Sequence, residues 1–357
     1  MLCIGLAIRI CMGKHKNIPI FIPHSGCPHQ CVFCNQKTIS GSIGCSTENV
    51  RRQIEAALST ARSDDEIEIA FFGGSFTGIA REDMTALLAI ANEYLRLGKI
   101  CGIRLSTRPD YISSEILDIL SDYGVTDIEL GVQSLSDKVL SACERGHTSE
   151  QTKAACRLIL QYGKFSLVGQ MMLGLPGSSK EEELMTAKEL FDLGVHAIRI
   201  YPTVVLQNTS LATMLANKTY TPLTLSQAVS TAADILELAD SYDIPCLRIG
   251  LCENEALHDQ NGMLQGPFHP AFGELAVSEI FFRRIVNVLN STECRNKELH
   301  ILIPKGALSK AIGQKRNNID RLHKLLSPKN IRFIESADLH GYEVCLQEDH
   351  SIASYIN

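Results

Sequence analysis

Six short apolar segments alternate with amphipathic stretches between residues 18 and 202, and this alternation restricts the chain to a few folds. Within the stretches, apolar residues recur three or four positions apart, which predicts helices at 48–62, 114–123, 149–162 and 179–193. Almost purely apolar strands that alternate with helices form a parallel sheet covered on both faces. Six units are too few for an eight-fold barrel, so we predict an α/β fold with an open or partial barrel. The apolar segments are 18–23, 67–74, 103–107, 127–133, 165–177 and 197–202.

The chain beyond the barrel is less regular, and one polar segment divides it. The segment 291–298, Ser-Thr-Glu-Cys-Arg-Asn-Lys-Glu, is the predicted linker. We therefore predict four parts: an N-terminal extension (1–17), the barrel (18–205), an extension packed on the barrel (206–293) and a small α+β module (294–357). In the extension, helices are predicted at 224–241 and 275–290 and a strand at 247–251. The module is predicted as strand 299–303, helices 307–312 and 317–326, and strands 331–335 and 342–347.

The cysteine content and the lack of long apolar runs indicate a cytoplasmic protein. There are thirteen cysteines, an odd number. Without a secretory signal they indicate reduced thiols or metal ligands rather than a disulfide framework. The first residues have no basic lead, and Arg9 interrupts their apolar run, so we expect no secretion. No run approaches the roughly 18 uncharged apolar residues that a membrane helix needs.

The charge of the chain is distributed unevenly. Its formal net charge is −6, yet residues 295–334 contain ten Lys or Arg against only Glu298 and Asp320. A compact basic module on an acidic body is expected where one end of a protein binds a polyanion. The alternative is a solvated charged face without a partner.

Three cysteines follow the first predicted strand with the spacing C-x3-C-x2-C: Cys27, Cys31 and Cys34. The loops after the strands of a parallel α/β sheet carry its chemistry. Thiolates are the usual ligands of iron–sulfur clusters and of zinc. No second C-x2-C pair exists, but His24 or His29 could complete a structural zinc site, which remains an alternative. On a four-iron cluster, three thiolates leave one iron open for a substrate or cofactor.

This motif after a first strand resembles the signature of the radical S-adenosylmethionine (SAM) enzymes. The resemblance implies a partial (β/α)6 barrel of the TIM type and a [4Fe-4S] cluster on Cys27, Cys31 and Cys34. In that family the open iron chelates SAM, and one electron releases a 5′-deoxyadenosyl radical that abstracts hydrogen from the substrate. The resemblance also implies a low-potential electron donor such as ferredoxin or flavodoxin.

Further matches to this family fall at the ends of the predicted strands. Gly73 and Gly74 match the glycine pair whose backbone receives the methionine amino group, and glycine permits such a close approach. The segments Gly131-Val132-Gln133-Ser134 and Arg145-Gly146-His147-Thr148 are similar to the Elongator catalytic subunit and the oxygen-independent coproporphyrinogen oxidases. The resemblance implies that Gln133 contacts the ribose and that Arg145 binds the methionine carboxylate; a surface ion pair is the alternative for Arg145.

Two strand ends complete the predicted SAM site. The resemblance places Leu173, which begins the segment Leu-Gly-Leu-Pro-Gly, on the adenine side. Ser106 stands where the relatives commonly carry Glu, and its hydroxyl can still bond a ribose or an amino group. Glu129 is either a substitute polar contact for that position or a strand-end carboxylate without such a role.

The C-terminal module resembles a KH domain rather than the acetyltransferase domain that follows the barrel of the Elongator subunit. We expect no acetyltransferase, because nothing after residue 294 offers an acetyl-CoA pyrophosphate loop. A KH domain clamps a nucleic-acid backbone with a Gly-x-x-Gly loop between two helices. Here the loop is Gly313-Gln314-Lys315-Arg316, so arginine replaces the second glycine. The predicted RNA contacts are Lys305, Lys310, Gly313, Lys315 and Arg316; a small cap with a solvated basic helix is the alternative.

These observations favour a radical SAM enzyme that modifies a base of structured RNA such as tRNA, delivered by the basic module. A base in a duplex must be unpaired before an enzyme can act on it, so an RNA-binding module is physically reasonable. Two alternatives stay open. One is the same chemistry on a small molecule such as a tetrapyrrole, and the other is a non-catalytic RNA-binding protein with a structural zinc on the same cysteines.

Overall fold

The computed structural model describes residues 15–22, 31–34, 46–251, 262–290 and 294–347. Within these ranges the main sheet is parallel and has seven strands, which follow one another across the sheet in chain order. They are β1 (His15–Ile22), β2 (Glu66–Gly73), β3 (Gly102–Thr107), β4 (Asp127–Gln133), β5 (Ser166–Leu173), β6 (Ala197–Pro202) and β7 (Cys246–Ile249). The predicted α/β class and parallel sheet are therefore confirmed.

The sheet has one strand more than the six that the sequence pattern predicts. The seventh, β7, falls in the segment predicted as part of the extension, and it pairs in parallel with β6. It is short, its residues are only partly buried, and Leu247 is 47% exposed. An edge strand of this kind lacks the strong apolar run that marks the others, which is why the pattern did not assign it to the sheet.

The helices that alternate with the strands begin and end close to their predicted positions. α5 begins with a capping box, in which the Thr148 side chain accepts from the N–H of Gln151 while the Gln151 side chain accepts from the N–H of Thr148. Gly163, at φ +68°, ends α5. The helices are α1 (Thr47–Ser59), α2 (Arg81–Arg96), α3 (Ser114–Asp122), α4 (Asp137–Ala142), α5 (Ser149–Tyr162), α6 (Lys180–Leu193), α7 (Ser210–Ala216), α8 (Leu225–Ser241) and α9 (Phe272–Leu289).

One face of strands β2 to β4 carries charged side chains, although the sequence pattern predicts apolar residues on both faces. Arg104 donates through Nη2 to Asp127 at 3.1 Å, and its Nε lies 2.6 Å from Oε2 of Glu68. Adjacent residues on the other face, such as Ile69 and Ile128, are fully buried. In β2 to β4, therefore, side chains alternate between an apolar face and a face that carries polar side chains.

Contacts divide the chain into two compact units. The first contains residues 1–170 and 193–196, and the second contains 171–192 and 197–357. The first unit thus includes β1 to β4, most of β5, and helices α1 to α5. A two-stranded sheet pairs Val205–Leu206 with Met263–Gln265 in the second unit.

A second, three-stranded sheet forms the C-terminal part of the second unit. It consists of β8 (Glu298–Pro304), β9 (Asn330–Ser336) and β10 (Cys345–Leu346), with β8 in the centre, parallel to β9 and antiparallel to β10. Helices α10 (Leu308–Ile312) and α11 (Asn317–Leu326) lie between β8 and β9 in the chain. The predicted strand–helix–helix–strand–strand order is therefore present. The last strand is shorter than predicted.

The C-terminal sheet does not build its hydrophobic core alone. Phe281, Ile285 and Leu289 of α9 are buried in the same cluster as the β8 residues Leu299, Ile301 and Ile303. Since α9 precedes the predicted linker, the sheet and the helix before it fold around one core.

Among the described helices, none is long and apolar enough to cross a membrane.

Candidate functional site

The described part of the cysteine loop is a tight turn that buries one thiol. The N–H of Cys34 donates to the carbonyl of Cys31 at 2.9 Å, and the N–H of Val32 donates to the carbonyl of Cys143 at 3.1 Å. Cys31 is buried and Cys34 is half-buried. Cys27, with His24 and His29, lies outside the described residues. Within the described ranges, no group of three metal-ligand side chains is assembled.

Arg145 connects this turn to strand β4. Arg145 is 7% exposed, and its side chain donates to three of the described residues. Nη1 donates to Sγ of Cys31 at 3.4 Å, Nη2 donates to the carbonyl of Gly131 at 2.7 Å, and Nε donates to Nε2 of His147 at 3.1 Å. A guanidinium has five N–H donors, so one N–H remains on each terminal nitrogen. The structure thus makes Arg145 a buried residue rather than the exposed ion-pair residue of the alternative.

His147 is a neutral acceptor in this arrangement. Arginine can only donate, so Nε2 of His147 must be unprotonated and the ring proton must lie on Nδ1. Nδ1 is 3.3 Å from the Thr152 hydroxyl and 3.4 Å from the Thr148 carbonyl. Burial, and then the adjacent Arg145 charge, lower the pKa of His147 to about 4, so the ring is neutral at neutral pH.

The backbone of Arg145 is fixed by a second arginine. Arg108 donates through Nη2 to the Arg145 carbonyl at 2.7 Å and pairs with Asp110 through Nε and Nη2, both at 2.9 Å. Burial acts to raise the pKa of Asp110, but the hydrogen bonds from Arg108 outweigh it and hold the pKa below its ordinary value. Asp110 is therefore a carboxylate that holds Arg108 in place. Arg108 and Asp110 were not among the predicted site residues, and His147 appeared only within the segment 145–148, without a predicted role.

Gln133 ends β4 with a left-handed backbone, at φ +65°, which is unusual for a residue with a side chain. Its amide exchanges two hydrogen bonds with the amide of Gln170 on β5, at 2.8 and 2.9 Å. This reciprocal pair fixes the orientation of the two amides relative to each other. Beyond this pair, the Gln133 amide can donate one further hydrogen bond and accept another.

The backbone geometry explains why the first residue of the glycine pair after β2 is a glycine. Gly73 has φ +105°, and a Cβ there would lie 2.8 Å from the Ile22 carbonyl of β1. Gly74 then donates its N–H to the same carbonyl at 3.1 Å. The close approach of β1 and β2 at their carboxyl ends thus requires glycine at 73.

Ser106 on β3 carries a buried hydroxyl that has no hydrogen-bond partner among the described residues. It faces Glu129 in the register of β3 and β4, but no hydrogen bond joins the two side chains. A buried polar group without a partner costs free energy, so it marks a place where another group fits.

In the second unit, the loop after β5 is anchored by a buried carboxylate. Leu173 is fully buried, and Gly174 donates its N–H to Oε1 of Glu183 at 2.6 Å. The Ser178 hydroxyl reaches the same oxygen at 3.1 Å, and Tyr220 donates to the Gly174 carbonyl at 2.6 Å. Burial raises the pKa of Glu183 to about 7, despite these hydrogen bonds. Glu183, which stands in a run of three glutamates, was not among the predicted site residues.

The loop between α10 and α11 exposes its cations but buries its glycine. Lys305, Lys310, Lys315 and Arg316 are exposed. Lys315 and Arg316 have left-handed backbones, at φ +52° and +64°. Gly313 is buried, and a Cβ there would lie 3.0 Å from both the Asn318 backbone and the Ser278 hydroxyl. Gly313 thus packs against α9, whereas the other four predicted RNA contacts reach solvent.

The sequence matches two protein-family models. Residues 21–190 match the model of the radical SAM superfamily, and residues 195–281 match the model of a radical SAM C-terminal domain. The chain belongs to the radical SAM superfamily and is an enzyme of that class. The residues present fit the cofactors of this family: two thiols, a guanidinium N–H directed at one of them, and the buried Ser106 hydroxyl, which has no partner in the described part of the chain.

The similar proteins include Elongator complex protein 3 and tRNA uridine(34) acetyltransferases. An uncharacterised protein of Methanocaldococcus jannaschii is 32% identical over 61% of this chain and 70% of its own length. Elongator complex protein 3 of Saccharomyces cerevisiae is 30% identical over 55% of this chain and 38% of its own. A tRNA uridine(34) acetyltransferase of Dehalococcoides mccartyi is 25% identical over 65% and 60%. This chain therefore spans about two fifths to three fifths of the two named enzymes.

A solved structure shares the fold. The archaeal Elp3 of Methanocaldococcus infernus, with an N-terminal deletion, aligns with a TM-score of 0.60. The alignment covers 80% of this chain and 66% of that one at 21% identity. It supports the partial barrel of radical SAM enzymes for this chain.

Proposed function

We propose that this protein binds a [4Fe-4S] cluster through Cys27, Cys31 and Cys34 and reductively cleaves SAM to modify a base of tRNA. The observation that carries the proposal is the buried Arg145, whose Nη1 contacts the Cys31 sulfur at 3.4 Å. When bound, the cluster and SAM would supply a 5′-deoxyadenosyl radical to abstract hydrogen from the substrate. The rest of the chemistry in this protein is positioning by its own side chains.

Arg145 is suited to hold the methionine carboxylate of SAM. One N–H remains on each of its terminal nitrogens, and a bidentate contact with a carboxylate needs two such donors. The guanidinium is already desolvated and oriented by its three present partners. Little conformational entropy is therefore lost when it binds an anion.

Gln133, Ser106 and Gly74 are the proposed contacts for the remaining polar groups of SAM. The Gln133 amide is oriented by Gln170, and the Ser106 hydroxyl lacks a partner within the described residues. The ribose offers hydroxyls that both donate and accept, which an amide and a hydroxyl can match. Leu173 keeps its proposed role on the adenine side, as the resemblance implies.

The exposed cations of the C-terminal module support an RNA substrate. Lys305, Lys310, Lys315 and Arg316 are exposed, and a cavity of about 920 Å³ lined in part by Gln314, Lys315 and Asn317 lies beside the loop. Positive side chains beside a groove suit the phosphate backbone of a nucleic acid. The name of one relative, tRNA uridine(34) acetyltransferase, supports tRNA as the substrate class.

Not every cation of the module is available to RNA. Arg321 donates to Glu279 of α9 at 2.7 Å and stacks over the Phe282 ring at 3.4 Å. It therefore joins α11 to α9, and the solvated-face alternative does not describe it. The proposed RNA contacts are confined to the exposed residues named above.

The proposal is tested with anaerobically reconstituted protein, dithionite as the electron source and SAM, with 5′-deoxyadenosine measured by chromatography. Iron and sulfide are measured on the same sample. Formation of 5′-deoxyadenosine that is stimulated by tRNA, but not by tRNA digested with ribonuclease, is the expected result. Formation that is indifferent to RNA would point to a small-molecule substrate. Protein that binds zinc but no iron would overturn the proposal.

A further inference from the structure

The guanidinium of Arg145 is held at two points that leave it one orientation. Nη2 is bound to the Gly131 carbonyl at 2.7 Å, and Nε is bound to His147 at 3.1 Å. With both ends of the planar group fixed, Nη1 is directed at Cys31 Sγ. The direction of that N–H is therefore set by Gly131 and His147 and not by the sulfur alone.

Of the two groups that hold the guanidinium, only His147 can be changed by substitution. It contributes its side chain, whereas Gly131 contributes its backbone carbonyl. His147 is 4% exposed and lies between Arg145 and the Thr152 hydroxyl of α5. Arginine cannot accept a hydrogen bond, so any residue that replaces His147 must offer an acceptor to keep Nε in place. Without an acceptor, the Arg145 side chain loses one of its two fixed points, and Nη1 is free to turn away from the sulfur.

A fixed positive charge near a metal-binding sulfur changes the electron affinity of the bound group. Hydrogen bonds to the sulfurs are among the factors that set the reduction potential of iron–sulfur clusters. Reduction adds one negative charge, which a guanidinium N–H directed at the sulfur stabilises. Burial of Arg145 strengthens this effect because little water screens it.

We infer that His147 is a positioning residue, which holds Arg145 against Cys31 so that the cluster bound there is easier to reduce. The inference rests on the proposed function, since it requires a cluster on Cys31. It assigns to His147 a role in electron acceptance that is separate from any contact with SAM or substrate.

The test compares three variants of the full chain by a redox titration followed by electron paramagnetic resonance, without SAM. His147→Leu removes the acceptor for Nε. His147→Gln keeps an acceptor in its amide oxygen. His196→Leu is the matched control, because His196 belongs to the same unit but accepts from the Leu167 N–H at the start of β5, away from Cys31.

In His147→Leu, we expect the ratio of reduced to oxidised cluster at a fixed potential to fall about tenfold. For a one-electron couple this corresponds to a reduction potential that is about 59 mV lower. His147→Gln and His196→Leu should keep the wild-type ratio. A wild-type ratio in His147→Leu would overturn the inference, as would an equal loss in His147→Gln. Wild-type protein that binds no iron would instead contradict the proposed function.

A further variant, Arg145→Met, tests the inference if His147→Leu does not fold. Arg145→Met removes the N–H donors themselves and keeps a long side chain in the site. It should lower the ratio of reduced to oxidised cluster at least as much as His147→Leu. Intact iron content together with an unchanged ratio would overturn the inference.

Discussion

Gly131 lies directly under the guanidinium of Arg145. A Cβ on Gly131 would lie 2.9 Å from Nη2 of Arg145 and 3.0 Å from Nε2 of Gln133. Two of the proposed SAM contacts therefore converge over a residue that has no side chain. Any side chain at position 131 must displace one of them.

Gly131→Ala is expected to weaken SAM binding about tenfold. The added methyl group meets Arg145 and Gln133 inside the van der Waals limit, and overpacking of this kind costs about 1–3 kcal/mol. Calorimetric titration of the reconstituted protein with SAM measures the loss. Gly98→Ala is the control, because its left-handed backbone (φ +66°) makes alanine destabilising there, while the added Cβ meets nothing within 4 Å. A general loss of stability would therefore lower SAM affinity in both variants, whereas a local effect lowers it only in Gly131→Ala. Unchanged SAM affinity in Gly131→Ala would argue against the proposed roles of both side chains.

Cys31→Ala is expected to abolish iron binding and SAM cleavage while the protein stays folded. The change removes a thiol from a loop and leaves the sheet and its helices intact. Iron content and circular dichroism of the purified protein are the measurements. Cys101→Ser provides the comparison, since Cys101 is an exposed cysteine of the same unit and should keep full iron content. Global unfolding of Cys31→Ala would favour a structural metal instead.

The double variant Lys315→Glu/Arg316→Glu is expected to weaken tRNA binding and to reduce its dependence on salt. Each lost phosphate contact lowers the slope of log K against log salt by about 1. Binding is measured by fluorescence anisotropy at several salt concentrations. Arg96→Glu/Lys138→Glu makes the same change of charge at exposed positions of the first unit. If both double variants bind tRNA equally, the loop is not an RNA contact.

Glu183 is expected to make the stability of the protein fall as pH rises. Its folded pKa, raised to about 7, lies above its ordinary value of 4.5, so the folded state binds more protons between these two values. The free energy of unfolding should therefore fall by about 3 kcal/mol between about pH 4.5 and about pH 8 on account of this group.

Glu183→Gln should remove this loss, because the amide oxygen can still accept from Gly174 while the group no longer titrates. Urea denaturation at several pH values gives the comparison. Glu181→Gln is the control. A backbone hydrogen bond lowers the pKa of Glu181, so this carboxyl group adds no loss of stability as the pH rises from about 4.5 to about 8. Parallel pH profiles for wild type and Glu183→Gln would contradict the assignment.

The strands and helices of the main sheet could be predicted because their signals are local. The helix over 149–162 is observed with those bounds, and it carries its cap residues within the same segment. The last strand was predicted at 247–251 but was not placed in the sheet, because β7 is a short, half-exposed edge strand. The charged face of β2 to β4 was also not anticipated, because Glu68, Arg104 and Asp127 neutralise one another only across strands.

The candidate site was predictable to a lesser extent. The cysteine spacing and Arg145 came from motifs, and their roles as cofactor ligands stay predictions. The contacts that orient Arg145 were not predicted, because the segment 145–148 contains His147 without showing that its ring accepts a hydrogen bond from Nε of Arg145. Gly313 shows the opposite case, in which a motif glycine packs against α9 in the interior of the protein.

The amino-acid sequence by itself determined the periodicity of the elements, the cysteine spacing and the charge of the C-terminal module, since each depends on residues close together in the chain. Only the tertiary structure decided which polar side chains meet. Arg145 reaches Cys31 across 114 residues, and Gln133 reaches Gln170 across 37. Such contacts depend on the register of neighbouring strands and on burial. A buried, oriented side chain has no water to bond instead, so its hydrogen bond within the protein contributes more to stability than the same bond at the surface.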